Sequence, residues 1–296
     1  MNILPPQILF RWWQFLSSIK IGVKKIITII IILLGWSITE LEAQDLLHLD
    51  TVVVQSGPLT LKGLLWRPLG SGPFPAIIYC HGGYKDTETI HDIVLGPSFA
   101  KQGYAFLFLF RRGIGLSKGQ GINATDLMDK AFQEKGQDER NKVQLQELET
   151  TQLEDVSAGL AFLQARKDID KNRIAVAGVS IGASLALLLA ENHRNLKAVI
   201  LLAPIGYSWD RSPQLRLRLM TAAKNISAPV MIVQAANDYS LNPTHMLDSV
   251  MNENNKAHLI KIYSSFGNSQ TEGHHFIFLS TQTWEADVFT FLSKNL

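Results

Sequence analysis

Wholly apolar runs alternate with amphipathic or polar stretches along most of the chain. The apolar runs are rich in β-branched residues, which is typical of buried strands. Such strands are predicted at residues 76–80, 104–110, 174–178, 198–203, 230–235 and 258–263. Two further β-rich runs, 46–54 and 59–67, are separated by a turn and predict a hairpin.

The segments between these strands carry helical patterns. Helices are predicted within 91–102, over 147–167, after 181, over 243–254 and over 280–294. In 147–167 an apolar stripe faces the core and acidic residues are expected on a solvated face. Residues 120–146 are polar and predict a surface excursion with some helix, whereas 204–228 are expected to be irregular. The alternation predicts an α/β fold with a doubly wound, mainly parallel sheet and an antiparallel N-terminal edge hairpin.

The first 43 residues have the pattern of a targeting segment. Three lysines between residues 20 and 25 precede an uncharged apolar run at 26–39, as in an export signal. That run is short for a membrane span, which needs about 20 residues. Cleavage after Ala43 is expected, and an uncleaved anchor that starts near Ile19 is the alternative. In both cases residues 44–296 form one domain outside the cytoplasm, in the periplasm or secreted.

Charge and cysteine content exclude several classes of protein. The formal net charge of +2 lies in residues 1–43, so the remainder is neutral and gives no electrostatic case for binding nucleic acid. The single cysteine, Cys80, lies in an apolar strand and is expected to be a buried core residue. Without a His-Glu-x-x-His pattern or similar ligand spacing, no metal and no other cofactor is predicted.

The pentapeptide at 178–182, Gly-x-Ser-x-Gly, carries the strongest chemical signal. A random chain of this length contains such a pentapeptide roughly one time in ten, so its context decides. A buried strand precedes it and an Ala/Leu-rich helix follows it. In that context the pattern predicts a nucleophile elbow, a sharp turn that exposes the Ser180 hydroxyl above the sheet.

A serine nucleophile needs a base and a group that orients the base. In this arrangement the acid and then the histidine follow the serine, each beyond the carboxyl end of a later strand. Asp238 is the acid in the turn after strand 230–235, with Asp210 and Asp248 as alternatives. The histidine is expected in a loop after the last strand, where His274 and His275 stand side by side.

The oxyanion of acyl transfer needs backbone N–H donors. One is expected from Ile181, because it follows the nucleophile at the N-terminus of a helix, where negative charge is favoured. The other is expected from the loop after strand 76–80, which contains paired glycines. Its donor is Gly83 or Tyr84.

These features together resemble the α/β-hydrolase superfamily, in the branch of dienelactone hydrolase-like and prolyl-oligopeptidase-type serine hydrolases. The resemblance covers about residues 50–295. Its motifs are His-Gly-Gly at 81–83, Arg-Gly-x-Gly-x-Ser-x-Gly at 112–119, the elbow, Ala-Pro at 228–229 before the strand to Asp238, and Gly-His-x-Phe at 273–276.

The resemblance implies roles for particular residues. His274 aligns with the catalytic histidine of the branch, and His275 replaces the glycine that usually follows it. Dienelactone hydrolase itself uses a cysteine nucleophile, so Ser180 implies an esterase-like member. The motif around Arg112 is expected to be structural.

The function predicted from the sequence is therefore an exported serine hydrolase that acts on a small-molecule ester. The alternatives are a peptidase or acyl-aminoacyl hydrolase, whose usual propeller domain has no room here, and a non-catalytic binding protein with the same fold. The excursion at 120–146 is expected to shape specificity. The oligomeric state is left open.

Cleavage of the export signal predicts that the mature protein begins at Gln44. N-terminal sequencing of the protein from its native host measures this directly. A mature protein that begins at Met1 would contradict cleavage.

Overall fold

A computed structural model describes residues 47–84 and 91–296. Its strands are β1 (Leu47–Ser56), β2 (Leu59–Pro68), β3 (Phe74–Cys80), β4 (Ala105–Leu109), β5 (Ile169–Ser180), β6 (Val199–Pro204), β7 (Val230–Ala235) and β8 (His258–Tyr263). They form one sheet in the order β1-β2-β4-β3-β5-β6-β7-β8. The pairs β1–β2 and β2–β4 are antiparallel and all other pairs are parallel. The predicted fold class, including the antiparallel edge hairpin, is confirmed.

Ten α-helices accompany the sheet in the described chain. They are α1 (Leu95–Lys101), α2 (Ala124–Lys135), α3 (Gln137–Glu149), α4 (Thr151–Ala165), α5 (Ile181–Asn192), α6 (Gly206–Arg211), α7 (Pro213–Asn225), α8 (Asn242–Glu253), α9 (Gln270–Leu279) and α10 (Thr281–Asn295). Short 3₁₀ turns lie at His91–Val94 and Gly115–Ser117.

The core lies on both faces of the sheet because successive side chains of a strand point to opposite sides. In β3, Ala76 and Ile78 face a cluster with α3, α4, α5, α7 and α8. Ile77 and Tyr79 face the opposite cluster, which contains α1, α9 and α10. Burial of the central strands on two faces explains why their sequences are apolar throughout.

The segment 204–228 was expected to be irregular, and that prediction is wrong, because α6 and α7 occupy most of it. Ser212 caps α7 by accepting a hydrogen bond from the Leu215 N–H, and a proline occupies the first turn. Leu215 and Leu219 are buried at helical spacing, while Leu217 between them is exposed. The Leu-Arg alternation has a period of two, so only Leu215 and Leu219, four residues apart, lie on the buried side of this helix.

The helix predicted over 147–167 begins later than expected. α3 ends at Glu149, and Thr150 leaves the helical conformation with φ −119° and ψ −96° before α4 starts. The acidic face of this segment is also not entirely solvated. Asp155 is fully buried and accepts hydrogen bonds from Ser56 (2.8 Å) and from the guanidinium of Arg112 (2.6 Å). This ion pair fastens the loop after β4 to α4.

The predicted targeting segment, residues 1–43, lies outside the described residues. No helix in the described parts of the chain is both long and apolar enough to cross a membrane.

Candidate active site

The loop at 81–84, Ser180 and Asp238 lie at the ends of three strands that finish at the same edge of the sheet, and His274 comes after the last strand, β8. The parallel strands β3, β5 and β7 lead into residues 81–84, into Ser180 and into the turn with Asp238. β5 and β7 are separated by one strand, which places their ends about 10 Å apart. An imidazole ring fits between groups at that spacing.

Ser180 occupies a strained turn between β5 and α5. Its φ is 54° and its ψ is −120°, a backbone conformation that residues other than glycine rarely adopt. A Cβ on Gly178 would collide with the carbonyl of Gly182, and one on Gly182 would collide with the carbonyls of Cys80 and His81. Both glycines are therefore required for the elbow to close against the end of β3, as the pentapeptide predicts.

The structure brings Asp238 and His274 together. Nδ1 of His274 donates a hydrogen bond of 2.8 Å to Oδ1 of Asp238. The side chain of Asp238 is fully buried, whereas that of His274 is 12% exposed. A carboxylate on Nδ1 keeps the proton there and leaves Nε2 of His274 as the proton acceptor. The other acids considered, Asp210 and Asp248, contact Asn242 and His258 instead.

Two polar residues that the sequence analysis did not select hold Asp238 in place. The amide of Gln234, buried in β7, donates to Oδ2 of Asp238 at 2.9 Å and accepts from Thr244 at 2.6 Å. The side chain of Asn237 bonds the backbone of Phe266 and Ser269, next to the helix that carries His274. A glutamine in an otherwise apolar strand was the available signal for Gln234.

His274 lies in the helix α9 and not in a loop, so that part of the prediction is wrong. Ser269 caps the helix by accepting from the N–H of Glu272, and the Glu272 carboxylate accepts in return from Ser269 and Asn268. These bonds, a variant of the capping box, fix the first turn of the helix that carries the histidine pair.

The second member of the pair, His275, does not contact Asp238. Its ring packs against those of His91, 5.9 Å away between centroids, and Phe278. Burial, followed by the proximity of His274 and His91, lowers the pKa of His275, which keeps its ring neutral. The hydrogen bond to Asp238 therefore favours His274 as the base.

The Ser180 hydroxyl has no hydrogen-bond partner among the described residues. Catalytic hydrogen bonds are often long without substrate and tighten in the complex. The contact between Ser180 and His274 therefore remains a prediction.

The loop after β3 lies against the elbow. The position of a Cβ on Gly83 would be 3.5 Å from the Ile181 side chain, so the candidate oxyanion donors Gly83 and Ile181 are neighbours. Gly83 is exposed, whereas His81 and Gly82 are buried. Tyr84 is partly buried, and its carbonyl accepts a hydrogen bond from Asn123.

A buried carboxylate, Asp92, underlies this loop and was not selected from the sequence. It accepts hydrogen bonds from the hydroxyls of Tyr79 (2.8 Å) and Tyr84 and lies 3.5 Å from the Gly82 N–H. Burial raises the pKa of Asp92 to about 7, against the lowering effect of these hydrogen bonds and of Arg111. No local sequence pattern distinguishes this aspartate from a surface one.

Neither Cys80 nor a metal centre contributes to the described part of the site. Cys80 is fully buried, and burial raises the pKa of its thiol to about 12, so it is an inert core residue. Across residues 47–84 and 91–296, no group of three or more His, Cys, Asp or Glu could hold a metal ion.

The mixed sheet, the strand-turn-helix elbow and the acid-histidine pair on one edge define an α/β-hydrolase fold. The sequence profile of the Dienelactone hydrolase family matches residues 61–288. The chain belongs to this family.

Curated relatives include an esterase and a quorum-quenching protein. Esterase EstD of Thermotoga maritima is 31% identical over 211 residues, which cover 69% of this chain and 46% of EstD. Quorum-quenching protein AidA of Acinetobacter baumannii is 28% identical over 176 residues, which cover 58% of this chain and 50% of AidA. The chain spans about half the length of these curated relatives.

Solved structures share the fold at low identity. Acylaminoacyl peptidase of Pyrococcus horikoshii superposes with a TM-score of 0.63 at 18% identity, over 86% of this chain and 43% of that chain. Dienelactone hydrolase of Anabaena variabilis gives 0.58 at 14% identity, over 83% of this chain and 98% of that chain.

The raised pKa of Asp92 predicts a pH-dependent loss of stability. The folded protein retains a proton that the unfolded chain, with a pKa of 3.8, has already released. The contribution is therefore fully present below pH 4 and is lost as the pH rises to about 7, by at most about 1.4 kcal/mol per pH unit. Denaturant unfolding of wild type and Asp92→Asn at pH 4.5 and 7.5 measures it. Wild type should lose more stability than the variant over this interval, and equal changes would contradict the assignment.

Proposed function

We propose that this protein is a serine hydrolase that cleaves carboxylic esters through an acyl-enzyme on Ser180. The observation that carries the proposal is the 2.8 Å hydrogen bond from His274 to Asp238, at the sheet edge where the elbow exposes Ser180. A base held by a buried carboxylate has the orientation that serine activation requires.

In the proposed reaction, Nε2 of His274 removes the proton of the Ser180 hydroxyl while Oγ bonds to the ester carbonyl carbon. The carbonyl oxygen becomes the oxyanion of a tetrahedral intermediate. Collapse of this intermediate breaks the bond to the alkoxy group, which leaves as the alcohol with the proton from His274. A water molecule, deprotonated by the same ring, then attacks the acyl carbon. The bond to Oγ of Ser180 breaks, the acid leaves, and Oγ takes back the proton from His274.

The oxyanion would be held from two sides. The N–H of Ile181 begins α5, where unpaired backbone N–H groups favour negative charge. The loop at 81–84 would supply the second donor, from Gly83 or Tyr84. Because donors of this kind are fixed before the reaction starts, they stabilise the transition state without reorganisation.

Asp238 would act through His274. Its Oδ1 also accepts from the Tyr239 N–H at 2.6 Å, and its Oδ2 accepts from Gln234. These two donors leave the carboxylate one direction in which to face the imidazole. The same carboxylate stabilises the imidazolium that forms when His274 takes the serine proton.

Specificity would come from the elements around the loop at 81–84. The side chain of Thr125, in the first turn of α2, lies 3.8 Å from the Cβ position of Gly83. The excursion at 120–146, which the structure forms as α2 and most of α3, therefore begins beside the proposed oxyanion site. It is the proposed determinant of which small ester is accepted.

An ester is proposed in preference to an amide because EstD, whose name describes an esterase, matches 69% of this chain. The alternative is an amide substrate, since this chain shares its fold with the acylaminoacyl peptidase of Pyrococcus horikoshii. Turnover of an ester and of an anilide with the same acyl group compares the two. The location outside the cytoplasm remains a proposal that depends on residues 1–43 alone.

The histidine pair provides the sharpest test of the mechanism. His274→Ala should lower kcat for a short-chain p-nitrophenyl ester by at least about 10³-fold, because the base is lost. His275→Ala, its matched control, should retain most of the activity because His275 lies against His91 and Phe278. Steady-state kinetics measures both variants. Absence of ester turnover in folded wild type would contradict the proposed function, and loss in His275→Ala alone would move the base by one residue.

A further inference from the structure

A buried cation, Arg111, lies directly behind the loop at 81–84. Its guanidinium donates to the carbonyl of His81 at 2.8 Å and to the carbonyl of Gly82 at 3.0 Å. The side chain is almost fully buried, and burial lowers its pKa to about 10, so it stays charged near neutral pH. Among the described residues no carboxylate forms an ion pair with it, and its Nε has no hydrogen-bond partner. The two loop carbonyls are its polar side-chain contacts.

The carbonyl of Gly82 also accepts a hydrogen bond from a second buried donor, the imidazole of His81. The backbone N–H of Arg111 donates to Nε2 of His81 at 3.3 Å, so Nε2 is unprotonated. Burial, and then the charge of Arg111, lowers the pKa of His81 well below its usual value, which keeps the ring neutral. Its proton is therefore on Nδ1, which lies 2.7 Å from the carbonyl oxygen of Gly82 and donates to it.

The Gly82 carbonyl belongs to the same peptide unit as the Gly83 N–H. In a trans peptide the N–H points opposite to the C=O. Because the Gly82 carbonyl points toward buried donors, the Gly83 N–H points away from them. Gly83 itself is exposed and lies beside Ile181. Within the described residues this N–H makes no hydrogen bond. The Tyr84 N–H has no such constraint, because no described donor holds the carbonyl of Gly83.

We infer that Arg111 is a positioning residue for the oxyanion site, which turns the Gly82–Gly83 peptide toward Ser180 and polarises its N–H. The inference rests on the proposed function, and it selects Gly83 over Tyr84 as the second donor. Hydrogen bonds to a carbonyl strengthen the donor at the other end of the same peptide. The guanidinium would lie roughly 8 Å from the oxyanion, across one peptide unit.

The planar fork of arginine suits this task because it reaches two carbonyls at once. Lysine would keep the positive charge but would present a point donor on a flexible stem. Glutamine would remove the charge and leave a single amide donor group. The effect on the loop should therefore decrease in three steps. Arginine makes both contacts and is charged, lysine is charged but makes a looser contact, and glutamine has neither the charge nor the fork.

The test compares Arg111→Gln and Arg111→Lys with wild type in hydrolysis of a short-chain p-nitrophenyl ester. Active sites are counted by labelling with a fluorophosphonate. Since removing one oxyanion donor outright costs about 10²–10³ in kcat, Arg111→Gln should lose about ten- to a hundred-fold in kcat per labelled site. Its KM should stay within about twofold, and Arg111→Lys should fall between the two. Arg166→Gln, whose side chain pairs with Asp168 before the start of β5, is the control and should match wild type.

A structural role alone would lower the folded fraction or the Tm and leave kcat per labelled site unchanged. That result for Arg111→Gln would overturn the inference. If Arg111→Gln does not fold, Arg111→Lys decides, because a kcat equal to that of wild type would show that the fork is not needed. A wild type that neither hydrolyses esters nor reacts with the fluorophosphonate would contradict the proposed function as well.

Discussion

The contact between the elbow and the end of β3 is the constraint on which the site depends. Gly182 lies so close to the carbonyls of Cys80 and His81 that no larger residue fits. This approach forces Ser180 into its positive φ and brings Ile181 beside Gly83. One backbone-to-backbone contact therefore sets the direction of the proposed nucleophile and assembles both sides of the proposed oxyanion site. Polar groups packed beneath it, including Arg111, keep the loop in that position.

Asp238 and His274, the proposed acid and base, are held by a separate set of contacts beyond the ends of β7 and β8. Gln234, in β7, donates a hydrogen bond to one oxygen of Asp238 and so fixes the carboxylate in the turn after the strand. Asn237, in the same turn, donates to the backbone carbonyl of Ser269 at the start of α9. The carboxylate is fully buried but meets three donors, so its burial is compensated. The sheet brings Asp238 and His274 to the same edge, and the side-chain amides of Gln234 and Asn237 orient them there.

The strands, the elbow turn and the pairing of Asp238 with His274 were predictable because each depends on local pattern or on chain order. The helix that carries His274 was missed, although Ser269 and Glu272 have the sequence spacing of a capping box. The helix α7 was also missed, although Ser212 followed by a proline is a typical helix start. Those signals are local and were present. The contacts of Gln234, Asp92 and Arg111 were not predictable, because they join residues distant in the chain and depend on how the elements pack. Burial of Asp155 is of the same kind.

Ser180 is the proposed nucleophile, and the rest of the proposed mechanism depends on it. Reaction of the wild-type protein with a fluorophosphonate, followed by tryptic digestion and mass spectrometry, measures this directly. The peptide that spans 174–194 contains Ser180 and also Ser184, a buried serine in α5 that serves as an internal control. We expect a phosphonyl adduct on Ser180, its absence in Ser180→Ala and its retention in Ser184→Ala. An unlabelled wild type, or an adduct that persists in Ser180→Ala, would contradict it.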